Sequence, residues 1–225
     1  VRLLLAVALA TFGVALTVGP VPGPAARAVP GVCPPICDAI PDAAWPSSSA
    51  LPLSSVYRWP GLAGLAVTAP APRFLFEELC ASPPLPGDPR DYVVAAKAQV
   101  THPAGQWQLR AQVLHWRGDV AHNGPLTRAV LDSAQLRLRT CQLTAPLVSP
   151  SITTADPERL AAVISVAGQK VVRQYLLAHP TSGSLVELAL WSTLPLQVPW
   201  PAVPDAQVLD ALAAPLCEAY LGSCR

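Results

Sequence analysis

The residue types best suited to chemistry stand closest together at His115, Trp116, Asp119 and His122. Two imidazoles and a carboxylate at this spacing are the material of an acid–base pair or a metal site, because histidine titrates near neutral pH and ligates through either ring nitrogen. Here they straddle a strand end, so any site would need further partners delivered by the fold. They are the candidate ligand-binding residues and, on an enzymatic reading, the nucleus of a dispersed active site. The other two histidines, His102 and His179, each precede a proline at a hairpin turn and read as solvent-exposed. Glu77-Glu78 and Asp88/Asp91 read as a solvated face and a turn rather than a catalytic pair. Arg117-Gly118-Asp119 reads as a turn at a strand end, not as an adhesion tripeptide. The chain lacks a Gly-x-Ser-x-Gly elbow, a His-Glu-x-x-His zinc motif and a phosphate-binding Gly-x-x-x-x-Gly-Lys-Ser/Thr loop. No catalytic residue, cofactor or metal is assigned from the sequence.

The six cysteines are Cys33, Cys37, Cys80, Cys141, Cys217 and Cys224. Cys33-x-x-x-Cys37 could be half of a zinc site, but no second pair stands at ligand spacing, so disulfides are expected. Fifteen pairings are possible. Seven residues of helix separate Cys217 from Cys224 by about 10 Å, and four extended residues separate Cys33 from Cys37 by about 12 to 14 Å. Those lengths suggest two rungs from the arm to the last helix, with Cys80 paired to Cys141.

Arg2, the apolar run Leu3 to Val18 and the small-residue ending Ala26-Arg27-Ala28 have the layout of a secretory signal peptide, with cleavage expected after Ala28. The run is shorter than the roughly 20 residues that span a bilayer. An uncleaved membrane anchor is the alternative. Export would place the protein outside the cell or in the envelope. A net charge of +1 with 13% charged residues argues against a nucleic-acid partner, which needs a clustered cationic face. The expected partner is an unidentified small ligand or envelope component.

These residues must be positioned by the elements behind them. Residues 29–73 are rich in Pro, Ala and Ser, lack a sustained period, and read as an extended arm with short turns. Its Trp-Pro steps, Trp45-Pro46 and Trp59-Pro60, with Trp200-Pro201 later, suit rings plugging a surface groove. Arg73 to Cys80 reads as a short helix. Tyr92 to Thr101 and Gln106 to Trp116 read as strands; Gln106, Gln108, Arg110 and Gln112 alternate with apolar residues and predict one wet face. Asn123 or Gly124 would cap a helix to about Gln142, followed by a Ser/Thr/Pro loop. Strands are expected at 160–166, 170–179 and 184–193, then a helix capped by Asp205 and kinked or divided at Pro215. The fold class is therefore α+β: a five-stranded antiparallel sheet in the order β-β-α-β-β-β-α, helices on one face, with residues 74–225 forming the domain.

That element order, with Cys141 and Cys217 near the ends of the two helices, resembles small exported proteins of mycobacteria and their relatives. It is distantly similar to the extracellular sensor domains of their receptor-type serine/threonine kinases. The resemblance spans roughly Tyr92 to Arg225 and implies a disulfide-bonded α+β domain with a ligand cleft; it transfers no site residue. The functional expectation is a secreted, non-catalytic binding or sensor-like domain. The alternatives are an envelope hydrolase and a structural envelope protein.

Overall fold

The computed structural model describes residues 39–224. The expected signal peptide, the start of the arm, and Cys33 and Cys37 lie outside the described residues. The protein is a mixed α and β structure built on one antiparallel sheet of seven strands. In chain order the elements are α1 (Ser54–Tyr57), β1 (Val67–Thr68), α2 (Leu75–Leu79), β2 (Val94–Val100) and β3 (Gln108–His115). Then come α3 (Val120–Thr144), β4 (Val148–Ala155), β5 (Arg159–Val166), β6 (Lys170–His179), β7 (Ser184–Thr193) and α4 (Asp205–Ala219). The spatial order is β1-β2-β3-β7-β6-β5-β4.

The expected five strands are all present, and β1 and β4 are two more. β4 stands where a loop is expected, because it is rich in Ser and Thr and contains Pro150. Threonine suits a pleated surface, and proline is tolerated because β4 is the outermost strand. β1 is too short to show a period.

The helices occupy both faces of the sheet, which corrects the single-face expectation. On one face α4 buries Val208, Leu209, Leu212 and Leu216 against Leu109, Val113, Tyr175 and Leu188. On the other, α3 buries Val130, Leu131, Ala134 and Leu138 with Phe74, Phe76, Leu114, Ile164 and Leu176. The chain signals this in β7, where Leu185-Val186 and Leu188-Ala189-Leu190 are continuous apolar runs and every residue from 184 to 190 is buried. A strand with one wet face would alternate; one covered on both sides need not. Residues 39–73, read as an extended arm, carry short turns and α1 and supply Trp45, Leu51, Leu53, Trp59 and Leu62 to the α4-side core.

α3 starts at Val120 rather than near Asn123, because the Asp119 carboxylate accepts from the Ala121 N–H at 3.0 Å. Asn123 is buried instead, its Nδ2 donating to the carbonyls of Trp116 and Arg117 at 3.1 and 2.8 Å. Gly118 takes φ +101°, the turn conformation expected between strand and helix. Gly124 permits close approach: a Cβ there would lie 3.1 Å from the Pro180 carbonyl oxygen. α4 runs through Pro215 undivided, and Asp205 lies in its first turn, accepting from Thr154 Oγ1 at 3.0 Å rather than capping the helix.

Cys80 and Cys141 form the expected disulfide, which ties α2 to α3. Cys217 is bonded to Cys224, not to the arm. The chain folds back after α4, bringing their Cα atoms to 5.2 Å, well inside the distance a continuous helix would set. A span of about 10 Å between these cysteines holds only for a helix continued to Cys224, and α4 ends at Ala219. No helix among the described residues is long and apolar enough to cross a membrane.

Candidate functional site

The structure distributes the four sequence candidates. His115 ends β3 on the α4 side, its ring stacked on Tyr220 at 4.3 Å and 13° and its Nδ1 3.0 Å from Ser184 Oγ. Trp116 is buried among the α3-side residues and donates from Nε1 to the Pro89 carbonyl at 3.1 Å. Asp119 caps α3 and His122 is exposed on its first turn. Two further corrections concern the hairpin histidines. His102 is half-buried against the rings of Tyr57 and Trp59, at 5.0 and 5.7 Å, and His179 is half-buried beside Ser182.

Burial lowers the His115 pKa to about 4, helped by the nearby Arg117 cation. Its folded pKa therefore lies below the ordinary value of 6.5, and the unfolded chain binds the proton more readily. This stabilisation is complete above the unfolded value and is lost as pH falls through the folded one. At pH 4 the loss amounts to about 3 kcal/mol. His179, also lowered by burial, acts in the same direction. Urea titrations from pH 7 to 4 should show a shallower decline for His115→Gln than for the wild type. Parallel curves would mean that His115 carries none of the acid sensitivity.

The polar groups that converge lie on the opposite face, under α2. Direct pairing places Lys97, Gln112 and Glu187 in one row across β2, β3 and β7. Antiparallel partners share a face, so this row runs from the exposed Lys97, one strand in from the edge, to the sheet centre. Glu187 is fully buried; its Oε1 accepts from the Leu75 N–H at 2.6 Å and from Gln174 Nε2 at 3.0 Å. Beside it Arg110 donates to Glu78 Oε1 from both terminal nitrogens, at 3.0 and 2.9 Å, and to the Arg73 carbonyl at 2.6 Å. Burial pushes the Glu187 pKa up, opposed by the Arg110 cation. Burial also works against the Arg110 charge, but Glu187 and Glu78 more than offset it and raise its pKa.

This network explains why the alternation in β3 misled. Arg110 and Gln112 are buried, not wet: Arg110 is paired with Glu78 on α2 and Glu187 on β7, and Gln112 Nε2 reaches the Arg73 carbonyl at 3.5 Å. Burial of polar groups is tolerated where such partners exist. The signal that could have found it is Glu187 itself, a lone carboxylate inside an apolar strand and so in need of a cationic partner.

Over the network lies a pocket of about 300 Å³, walled by the 69–71 turn and by Arg73, Glu78, Lys97, Arg110 and Gln112. Three cations stand against Glu78, which is accessible, and Glu187, which is buried behind Arg110, so one cationic charge is left over. A second cavity of about 150 Å³ lies against α3 near Arg90, but it has no cationic surplus: its one cation, Arg90, pairs with both Glu77 and Asp88 at 2.7 Å. The first pocket thus has cationic charge left over and the second does not. No protein-family model matches the chain, and no curated protein matches it.

Proposed function

We propose that the chain is an exported binding or sensor-like domain that takes a small anionic ligand, bearing phosphate or carboxylate groups, in the pocket under α2. The observation that carries this reading is the surplus of cations there: Arg73, Lys97 and Arg110 against Glu78 and the buried Glu187. Arg110 is held in place by Glu78 and by Glu187 behind it, so it meets a ligand without first being ordered, which lowers the entropic cost of binding. Lys97 stands exposed at the rim and draws the anion in. The two disulfides among the described residues suit an oxidising, extracellular environment. The likeness to envelope sensor domains points the same way. A binding role fits better than hydrolysis, since His115, Asp119 and His122 are engaged in a ring stack, a helix cap and solvent respectively.

Calorimetric titration at low ionic strength, with inorganic phosphate in one series and a tricarboxylate in another, tests the proposal. Binding should be salt-sensitive and weaken tenfold or more in the Arg73→Ala/Lys97→Ala double variant, equivalent to about 1.4 kcal/mol or more. The series that binds more tightly identifies the anionic group. Affinity unchanged in the double variant, or no binding in either series, would overturn it.

A further inference from the structure

Three side chains able to ligate metal converge on the sheet face opposite the pocket, where the end of β6 meets the end of α4. One donor atom each from His179, Cys217 and Cys224 lies within 4.8 Å of the other two. His179 Nε2 is 3.5 Å from Cys224 Sγ. In a tetrahedral zinc site, Zn–S and Zn–N bonds of about 2.3 and 2.0 to 2.1 Å put sulfur and nitrogen about 3.5 Å apart. The imidazole and one sulfur thus already stand at ligand spacing.

The ring is also oriented for the task. Ser182, which is buried, donates its hydroxyl proton to the His179 carbonyl at 3.2 Å, and its Oγ lies 2.8 Å from His179 Nδ1. With that proton on the carbonyl, Oγ is free to accept from Nδ1, the arrangement that leaves the Nε2 lone pair toward the sulfur. A hydrogen bond to the distal nitrogen is what fixes the tautomer of metal-binding histidines. The strand end and the turn at Pro180–Ser182 hold the ring independently of the cysteines.

In the structure the two sulfurs are bonded to each other. That bond is accessible: Cys224 is exposed and Cys217 half-buried, whereas Cys80 and Cys141 are 0% and 1% exposed. It closes a separation of only seven residues, and Leu209, Leu212 and Leu216 hold α4 on the sheet without it.

We propose that reduction of the Cys217–Cys224 disulfide by a dithiol of the thioredoxin type converts His179, Cys217 and Cys224 into a redox-gated site for a thiophilic d10 cation, Zn²⁺ or Cu⁺. The dithiol supplies two electrons and two protons, becoming a disulfide as the protein bridge becomes two thiols. The cation then binds both sulfurs as thiolates and releases those two protons to solvent. His179 gives its Nε2 lone pair, and solvent completes the coordination of zinc. Soft sulfur ligands select these ions over Mg²⁺ or Ca²⁺.

The full chain, briefly reduced and desalted without oxygen, would be titrated with Co²⁺ as a spectroscopic stand-in for zinc, and separately with Zn²⁺ and Cu⁺ against chromophoric chelators. One Co²⁺ should bind with thiolate charge-transfer and tetrahedral ligand-field bands, releasing close to two protons. Oxidised protein should show neither band. His179→Gln should weaken binding tenfold or more, and Cys217→Ser/Cys224→Ser should abolish it. Cys33→Ser/Cys37→Ser should leave it intact, and circular dichroism would establish that each variant is folded. The chelator competitions decide between zinc and copper. Binding by oxidised protein, binding that survives loss of Cys217 and Cys224, or an affinity indifferent to His179 would each overturn the proposal.

Discussion

Replacing Arg90 with alanine should destabilise the fold by about 3 to 5 kcal/mol, the usual cost of stranding one member of a buried ion pair. Glu77 is 1% exposed and Arg90 7%. Arg90 donates to both Glu77 oxygens at 2.7 and 2.9 Å and to Asp88, and its guanidinium lies 4.8 Å from the Phe74 ring centroid. Without it, Glu77 keeps Arg137 at 2.9 Å and the Phe74 N–H at 2.9 Å, too little to compensate a carboxylate held away from water. The Asp88 carboxyl loses the Arg90 hydrogen bonds that hold its pKa down against the opposing effect of burial. The double variant Glu77→Met/Arg90→Met should recover most of the loss, since an apolar pair of similar volume removes the stranded charge as well. Arg128→Ala is the control: its partner Glu158 is 45% exposed, and such pairs contribute at most about 1 kcal/mol. Urea unfolding measures all three. A loss below about 1 kcal/mol for Arg90→Ala would show that water reaches Glu77 and that the pair behaves as a surface contact.

The same network marks where the sequence stopped being legible. Strands β2, β3, β5, β6 and β7 could be read because strands and turn residues announce themselves locally: Ala167 and Gly168 both take positive φ between β5 and β6, and Gly183 does so before β7. The buried face of α3 could be read from spacing, and Val130, Ala134, Leu138 and Cys141 are buried as expected. What escaped was everything decided between distant segments. Leu75 and Glu187 are 112 residues apart and share a hydrogen bond; Arg110 and Glu78 are 32 apart. Their polarity read as solvent exposure because a period of two reports polarity, and the partner that makes burial tolerable lies elsewhere in the chain. The pocket is illegible for that reason, since Arg73, Lys97 and Arg110 carry no common motif. His115, Asp119 and His122 are near one another in sequence, yet chain proximity does not bring their side chains together. Ser184, whose cross-strand partners are both His115 and His179, links two histidines that lie 64 residues apart in the chain.

The disulfides carry the other large effect, and they should differ. In the chain-entropy picture a bridge stabilises by restricting the unfolded state, and the effect grows with the loop closed. Cys80–Cys141 spans 61 residues and Cys217–Cys224 spans seven, which correspond to about 4 and about 2 kcal/mol. Cys80→Ala/Cys141→Ala should therefore cost about twice as much as Cys217→Ala/Cys224→Ala in urea unfolding. The larger loss should spread beyond α2 and α3. Phe76, Glu77 and Cys80 share α2 and its flank, and the Thr144 hydroxyl donates to the Cys80 carbonyl at 2.5 Å. Freeing this segment loosens the groups that hold Arg90 and Arg137. Combining Arg90→Ala with loss of Cys80–Cys141 should thus cost less than the sum of the two, because either change alone already loosens the shared network; neighbours in one network are coupled rather than additive. Combining it with loss of Cys217–Cys224, on the other sheet face, should be additive within about 0.5 kcal/mol. The order of reduction follows from exposure: a mild dithiol should open Cys217–Cys224 first and leave the sheet and α3 intact, with Cys80–Cys141 yielding only when α2 unpacks. Mass mapping of trapped thiols along a urea series would read both steps. If the two bridges opened together in the absence of urea, the α2–α3 contact would be too weak to shield its sulfurs, and the stability assigned to Glu77 and Arg90 would fall with it.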